Sequence, residues 1–435
     1  MPSGAVRGRC YSSGSMRVLV VGSGGREHAL AWKIARSPLV RALYAAPGNP
    51  GMAEVAELVP LRADDVPGIA RFARERSVDL VVVGPEAPLV AGLVDRLQAE
   101  GILAFGPPAA AARIEGSKAF AKEVMAAAGI PTAEHAVFGE PGPALAFARA
   151  RGGRVVVKAD GLAAGKGVTV CGDLGEVEAA LEATLVRRVH GQAGARVVVE
   201  ERMEGPEASC ICFTDGERIR MLAAAQDHKR IHDGDRGPNT GGMGAFSPTP
   251  TVTPELTARI EREVLLPAVR EMARRGPPFR GALYAGLMLT ASGPRVVEFN
   301  ARLGDPETQP TLLRLRSDLV PALVGAARGD LSGVELEFDP RAAVAVVLAA
   351  EGYPGEPRRG DPISGLEGPF GEGVEVFQAG TARATDGRVV TAGGRVLAVC
   401  ALGEGLDQAA ERAYAAAGRI AFRGMQYRKD IGKKP

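Results

Sequence analysis

Short apolar runs alternate with amphipathic stretches through the first hundred residues after Met16. Residues 17–21 (RVLVV), 42–44, 80–83 and 103–105 read as strands, and residues 27–36, 67–76 and 88–100 between them carry helical spacing. This alternation predicts a parallel sheet with right-handed crossovers, whose ligands belong at the carboxyl ends of the strands. A helix over 117–128 leads to a smaller module: a helix over 143–151, a strand at 155–158, a glycine-rich loop, a strand at 168–170 and a helix over 174–188. Its small size and loop chemistry predict a lid. Runs at 196–200, 208–213 and 219–225 open a larger antiparallel unit, continued by a helix over 254–274 and strands at 283–289 and 295–299. After a helical stretch ending near Arg328, a strand at 342–350 begins a β-rich tail, interrupted by a Pro/Gly-rich segment at 352–371 and read as a fourth, packing domain.

The pattern divides the chain into a leader (1–15), an N-terminal domain (16–117), a connecting helix (118–133), a lid (134–203), a central domain (204–335) and a C-terminal domain (336–435). Composition agrees with a multidomain globular protein, since 46% of the 435 residues are hydrophobic. Lys and Arg number 53 against 51 Asp and Glu, and a net charge of +2 provides no global field for nucleic acid or an anionic membrane. No apolar run approaches the ~20 residues a membrane span requires, so a soluble protein is expected. The opening MPSGAVRGRCYSSGS lacks an apolar core, which excludes an ordinary secretory signal and leaves a tag, an upstream start or a transit-like segment. Cys10, Cys171, Cys210, Cys212 and Cys400 are scattered and odd in number, as fits reduced thiols in a cytoplasmic enzyme.

The densest chemistry lies in VEFNARLGDPETQP at 297–310. Glu298 and Asn300 stand two apart and, on a strand, project from one face. Hard oxygen donors at the end of an apolar run suit Mg²⁺; the alternative is a strand end before the Gly304-Asp305-Pro306 turn. Gly22-Ser23-Gly24-Gly25-Arg26-Glu27-His28 follows a strand and opens a helix, a place for a phosphate. It departs from a dinucleotide fingerprint: Glu27 replaces the third glycine, and no acid ends the second strand, so a monophosphate-bearing substrate suits it better than NAD. Lys158 to Gly167 (KADGLAAGKG) departs from a P-loop, because three residues separate Gly161 from Gly165 and Gly167 stands where Ser or Thr belongs. It reads as a hairpin-borne flap able to close over phosphates, with Lys158 a fixed charge or a solvated strand end. The polar stretch 226–244 predicts a functional loop, and its His228 and His232 are too close to Gly, Pro and Asn for a zinc helix.

GSGGREHAL after the first strand, PGNPG at 47–51, GPEAPLVAGLVD at 84–95, EGSKAF at 115–120, VVKADGLAAGKGV at 156–168, QDHKR at 226–230, GPNTGGMGAFSP at 237–248 and EFNARLGDPETQP at 298–310 resemble, in order, the phosphoribosylamine–glycine ligase (glycinamide ribonucleotide synthetase) family. The resemblance implies an α/β and α+β multidomain ATP-grasp fold: an N-terminal Rossmann-like domain with a parallel sheet, a small ATP lid, a central antiparallel domain and a β-rich C-terminal domain. It implies a monofunctional enzyme that consumes ATP, glycine and 5-phosphoribosylamine in purine synthesis and forms glycinamide ribonucleotide through glycyl phosphate. Neither nucleic acid nor membrane is a partner in that reading, and transient contact with neighbouring purine-pathway enzymes is compatible with it.

By the same resemblance Glu298 and Asn300 hold Mg²⁺, with Mn²⁺ an alternative. Lys118 and Lys158 approach the ATP phosphates under a loop that includes Gly161, Gly165, Lys166 and Gly167. Glu200, Glu201 and Met203 lie along the adenine and Glu207 takes the ribose, although from the residues alone those glutamates are an exposed strand end. Asp227 receives the glycine ammonium. Arg302 stabilises the acyl phosphate, sharing the face of Glu298 and Asn300 if the strand continues. Gly22, Gly24, Gly25, Asn49, Gly51 and Glu86 hold phosphoribosylamine. One departure from the wider ATP-grasp pattern is that Ala285-Gly286-Leu287-Met288 provides no second acidic metal ligand. Three rivals are weighed: a dehydrogenase, opposed by the broken fingerprint; another ATP-grasp ligase, opposed by GSGGREH and GPEAPL; and a non-catalytic nucleotide-binding subunit, opposed by the retained lysines and metal pair.

Overall fold

The computed structural model describes residues 14–163 and 166–433. Most of the expected leader lies outside that range; its last residues are described, and the Gly14 N–H donates to the Pro38 carbonyl at 2.6 Å. The first sheet is parallel, in the order Glu57–Leu58, Val40–Pro47, Met16–Gly22, Leu80–Val83, Leu103–Phe105. Its central strand is apolar on both faces: Leu19 and Val21 enter one core with the central domain, Val18 and Val20 another with the C-terminal half. The outermost strand, Glu57–Leu58, was not anticipated; both residues are exposed and leave no apolar run to read. The helix expected over 88–100 is two helices, Glu86–Val90 and Leu93–Ala99, because Gly92 takes a left-handed φ of +84°.

Three larger antiparallel sheets follow, with two two-stranded ones beside them among the described residues. His135–Phe138, Val197–Glu201, Val155–Ala159 and Val168–Val170 form the small module, packed on its own core beneath helices Pro141–Arg149 and Leu174–Leu181. The run at 196–200 therefore pairs within this module and not with the larger antiparallel unit. That unit is Ile219–Met221, Glu207–Thr214, Gly281–Thr290 and Gly293–Asn300. The last sheet combines Gln226–Asp227 and Gly244–Ser247 with Ala342–Ala349, Arg395–Gly403 and Val374–Gln378, so the polar stretch 226–244 is anchored at both ends in the sheet of the tail. Among the described residues, no helix is long and apolar enough to cross a membrane.

Of the polar junctions that tie the tail to the rest, one is built on a buried ring and another on a buried guanidinium. At the first, the buried His28 ring accepts the Gln378 N–H at Nδ1 (2.8 Å) and meets Phe377 edge-on at 5.5 Å. Burial pushes its pKa down to about 4, outweighing the backbone hydrogen bond. Between pH 6.5 and about 4 the unfolded chain gains a proton that folded His28 refuses. Stability present above pH 6.5 is then lost as pH falls, by about 3 kcal/mol in total. Denaturant melts at stepped pH are expected to show this slope, and His28→Asn to flatten it.

At the second junction Arg428, whose side chain is fully buried, pairs with Asp430 (2.6 Å) and Asp235 (2.8 Å) and donates to the Arg230 carbonyl. Asp430 in turn accepts the Gly234 N–H, and Asp233 accepts that of Lys429. The tail thus straps the hairpin Arg230–His232/Arg236–Asn239. Both carboxylates keep some solvent, so Arg428→Met is expected to cost about 2–3 kcal/mol in urea unfolding, short of the penalty for a fully buried orphan charge.

Candidate active site

A cleft of about 1040 Å³ opens between the small module and the larger antiparallel sheet, with walls from the helices beside the N-terminal sheet, both antiparallel units and the tail. Its floor is the end of strand Gly293–Asn300. Leu287 pairs with Val296 but Gly286 with Glu298, so Val297 is an extra residue and the ladder bulges immediately before the Glu298/Asn300 pair. Glu298 and Asn300 both line the cleft, as their spacing predicts. Opposite Glu298 stands Gly286, where an added Cβ would come within 3.4 Å of Glu298 Cγ; the missing side chain leaves room beside the carboxylate. One carboxylate and one amide oxygen fit a hard cation that draws its remaining ligands from phosphate and water. Among the described residues no three His, Cys, Asp or Glu side chains cluster as metal ligands. His228 packs on Phe246 and His232 is exposed on a hairpin strand, which removes them as a zinc pair.

The roof is the hairpin of strands Val155–Ala159 and Val168–Val170. Gly161 and Gly167 are tightly packed: an added Cβ would stand 2.6 Å from Ala193 Cβ and 2.7 Å from Ala163 Cβ respectively. Gly165 lies outside the described residues, and Lys166 is exposed, off the cleft wall. Lys118 donates to the Gly161 carbonyl at 3.1 Å; burial lowers its pKa, partly countered by Glu298. Lys158 is not a solvated strand end: it is 4% exposed and reaches the Val297 carbonyl (2.9 Å) and Glu200 (2.9 Å). Glu200 overturns the exposed-strand-end reading, being 2% exposed between Lys158 and Lys122 (3.1 Å). Burial opposes its charge, but the two lysines outweigh it and lower the carboxyl pKa. Glu201 is half-buried and pairs with Arg295 at 2.8 Å. Met203 lines the cleft, and Glu207 binds Lys229 at 2.7 Å.

Arg302 reaches the cleft by another route than the one expected. The strand ends at Asn300, so alternation does not aim the guanidinium; two carboxylates do. Nη2 meets Glu115 at 2.8 Å and Nε meets Glu86 at 3.4 Å, while Glu115 also accepts the Ala301 N–H at 2.7 Å. Burial works against the Arg302 charge, but Glu115 and Glu86 outweigh it and raise its pKa. Burial pushes Glu115 up, against the pull of Arg302. At Glu86 burial is overcome by Arg302 and Arg26, and the carboxyl is held low.

The glycine loop differs from the cradle expected of it. Glu27, standing where a third glycine would be, turns back to accept the Gly24 N–H (2.6 Å) and the Arg26 Nε–H (2.7 Å). One amide expected to hold a phosphate is thereby used internally. Among the described residues lining the cleft are Arg26 and Glu86, but not Gly22, Gly24, Gly25, Asn49 or Gly51. Asn49 spends its amide on the carbonyls of Ser23 and Gln378 and on the N–H groups of Gly51 and Met52. It shapes the loop and holds the tail against it.

Asp227 lies on the cleft wall beside Lys229. Burial opposes the Lys229 charge, but Asp227 and Glu207 outweigh it and raise its pKa. Deeper, Ser209, Tyr284 and Glu307 close a hydrogen-bonded triangle with sides of 2.8 to 2.9 Å. Arg395, from the tail, bonds the carbonyls of Gly241 and Asp305 and pairs with the Asp305 carboxylate at 3.1 Å. Glu115, Lys122, Lys229 and Arg395 escaped the sequence reading. Lys122 follows Lys118 by four residues and shares its helix face, and Glu115 opens EGSKAF; for Arg395 no local signal exists.

A small antiparallel lid set across a larger antiparallel sheet, with lysines from the lid strand and the connecting helix meeting a Glu-x-Asn strand end, is the ATP-grasp arrangement. The models of the phosphoribosylglycinamide synthetase N domain, ATP-grasp (A) domain and C domain match residues 16–115, 116–308 and 343–434. The chain belongs to the phosphoribosylglycinamide synthetase family. It is 52% identical over 420 residues to the phosphoribosylamine–glycine ligase of Vibrio parahaemolyticus, covering 96% of this chain and 98% of that one. With the Allochromatium vinosum ligase it shares 53% over 422 residues, at the same coverage. The crystal structure of a Thermotoga maritima phosphoribosylamine–glycine ligase superposes with a TM-score of 0.84 at 34% identity, over 95% of this chain and all of that one. A biotin carboxylase domain from Hydrogenobacter thermophilus, in complex with MgADP, ADP and bicarbonate, has a TM-score of 0.73 at 20% identity over 94% of this chain and 91% of its own. That likeness is one of fold.

Because Glu115 fixes both the Arg302 guanidinium and the Ala301 amide, Glu115→Gln is expected to lower kcat of the ligase reaction by about 10- to 100-fold while the nucleotide still binds. Steady-state kinetics beside a nucleotide titration checks this.

Proposed function

We infer that this chain uses ATP to join glycine to 5-phosphoribosylamine, releasing glycinamide ribonucleotide, ADP and phosphate, within purine synthesis. The observation that carries the reading is the single cleft in which Lys118 and Lys158 face the Glu298/Asn300 pair, with Arg302, Glu86 and Glu115 beside them. Cations for phosphate and carboxylate sit next to carboxylates that suit an amine.

In this reading a glycine carboxylate oxygen attacks the γ-phosphorus and the bond to ADP breaks. The amine of phosphoribosylamine then attacks the carbonyl of glycyl phosphate; the C–N bond forms, phosphate departs and the nitrogen sheds a proton. Lys118 and Lys158 neutralise the phosphates under the Gly161 to Gly167 loop, and residues 134–203 act as the lid. Glu200, Glu201 and Met203 border the adenine, and Glu207 the ribose. Asp227 receives the glycine ammonium, and Arg302 steadies the charge on the acyl phosphate. Arg26 and Glu86 provide the phosphoribosylamine side, on the shelf that Gly22, Gly24, Gly25, Asn49 and Gly51 shape. Glu298 and Asn300 would hold Mg²⁺, or Mn²⁺ in its stead, which would supply Lewis-acid charge neutralisation. The reading assigns the enzyme to the cytoplasm, which fits the free thiols of Cys171, Cys210, Cys212 and Cys400, with product passing by transient contact to neighbouring pathway enzymes.

The test is glycine-dependent ADP release with Mg²⁺, with and without freshly generated phosphoribosylamine. Release is expected to need both substrates. Glu298→Ala is expected to lower kcat by at least about 100-fold, and Arg302→Ala to abolish product while ATP still binds. ATP binding without such turnover would reassign the chain to another carboxylate–amine pair, and unchanged turnover in Arg302→Ala would discard that residue's role.

A further inference from the structure

Lys122 is a buried cation on the cleft wall to which the reaction as described gives no task. It lies four residues after Lys118 on helix Lys118–Ala127, and is 2% exposed. Its Nζ gives its hydrogen bond to Thr132 Oγ1 (2.7 Å) and sits against Glu200 Oε1 as an ion pair (3.1 Å). Thr132 Oγ1 passes the contact on to the Val296 carbonyl (2.6 Å). Lys158 holds the other Glu200 oxygen and the adjoining carbonyl, that of Val297. One buried carboxylate of the lid is therefore shared by two lysines, and both lysines end on the bulge that precedes Glu298.

A single carboxylate needs one counter-charge, so this pair holds one cation in excess. We propose that Lys122 is a positioning residue for the nucleotide: it keeps Glu200 paired, so that Lys158 Nζ is free to turn from Glu200 to a nucleotide phosphate without stranding a buried carboxylate. Lys158 is the group that exchanges, because it sits on the lid strand above the cleft, whereas Lys122 is fixed through Thr132 to the strand below. Lid closure and the seating of Glu298 are thereby linked through one carboxylate. The groups facing Lys122 are Glu200 and Lys158 from the lid, Arg295 from the floor strand, itself paired with Glu201, and Lys118 one turn earlier. Burial, only partly offset by Glu200 and reinforced by Lys158 and Arg295, pushes the Lys122 amine down to about 8.

The inference rests on the ATP reading above, and the experiment separates the two. Binding of the non-hydrolysable analogue adenylyl-imidodiphosphate with Mg²⁺ is measured by calorimetry for wild type, Lys122→Met and Lys122→Arg, alongside KM for ATP and glycine and kcat. Lys122→Met is expected to weaken the analogue and raise KM for ATP by about 10- to 100-fold, with KM for glycine unmoved and Lys122→Arg close to wild type. In wild type, KM for ATP is expected to rise above pH 8 as Lys122 loses its proton, and this limb to vanish in Lys122→Arg. That wild-type limb is read without any variant that fails to fold. Wild-type affinity in Lys122→Met, equal losses in both variants, or an unchanged alkaline limb in Lys122→Arg would overturn the inference while leaving the ATP reading intact. Failure of wild type to bind the analogue would overturn the ATP reading itself.

Discussion

Much of the cleft is built on the end of one strand, Gly293–Asn300, and on the short segment after it. Thr132 bonds the Val296 carbonyl, Lys158 the Val297 carbonyl, and Glu115 the Ala301 amide. These three contacts come from the link after the connecting helix, the lid and the last helix of the N-terminal unit. The bulge at Val297 leaves backbone groups unspent by the ladder, and those groups are where the other units attach. Glu298, Asn300 and Arg302 thus stand on backbone held by side chains of other units, and Glu115 and Glu86 aim the Arg302 guanidinium.

The second organising constraint is charge. Several cations on the cleft wall are paired with carboxylates: Lys158 with Glu200, Lys229 with Glu207, Arg302 with Glu115 and Glu86, and Arg395 with Asp305. A cation prepared this way can meet a phosphate or carboxylate in a low-dielectric site with little reorganisation. The carboxylates left behind need other partners, and the doubled pairing of Glu200 supplies one.

The parallel sheet and the lid hairpin were legible because their strands are continuous apolar runs with clear punctuation. Glu298 and Asn300 were legible because two positions two apart fix a face. What escaped was long-range. Glu200 reads as an exposed strand end until helix Lys118–Ala127 is laid beneath it. Arg302 could be named, but the carboxylates that aim it lie 187 and 216 residues earlier. Asn49 stands in a loop motif that suggests ligand contact, yet its amide is spent on Ser23, Gln378 and its own turn, and only the packing of the tail makes that visible. Gln226–Asp227 and Gly244–Ser247 join the sheet of the tail, and no periodicity in two- and four-residue strands could have assigned them there.

The most direct test of the account is to supply glycine labelled with ¹⁸O in both carboxylate oxygens and weigh the phosphate released. Phosphorylation of the carboxylate in this cleft followed by attack of the amine predicts one ¹⁸O in each phosphate formed. Phosphate free of label, with amide still produced, would contradict it.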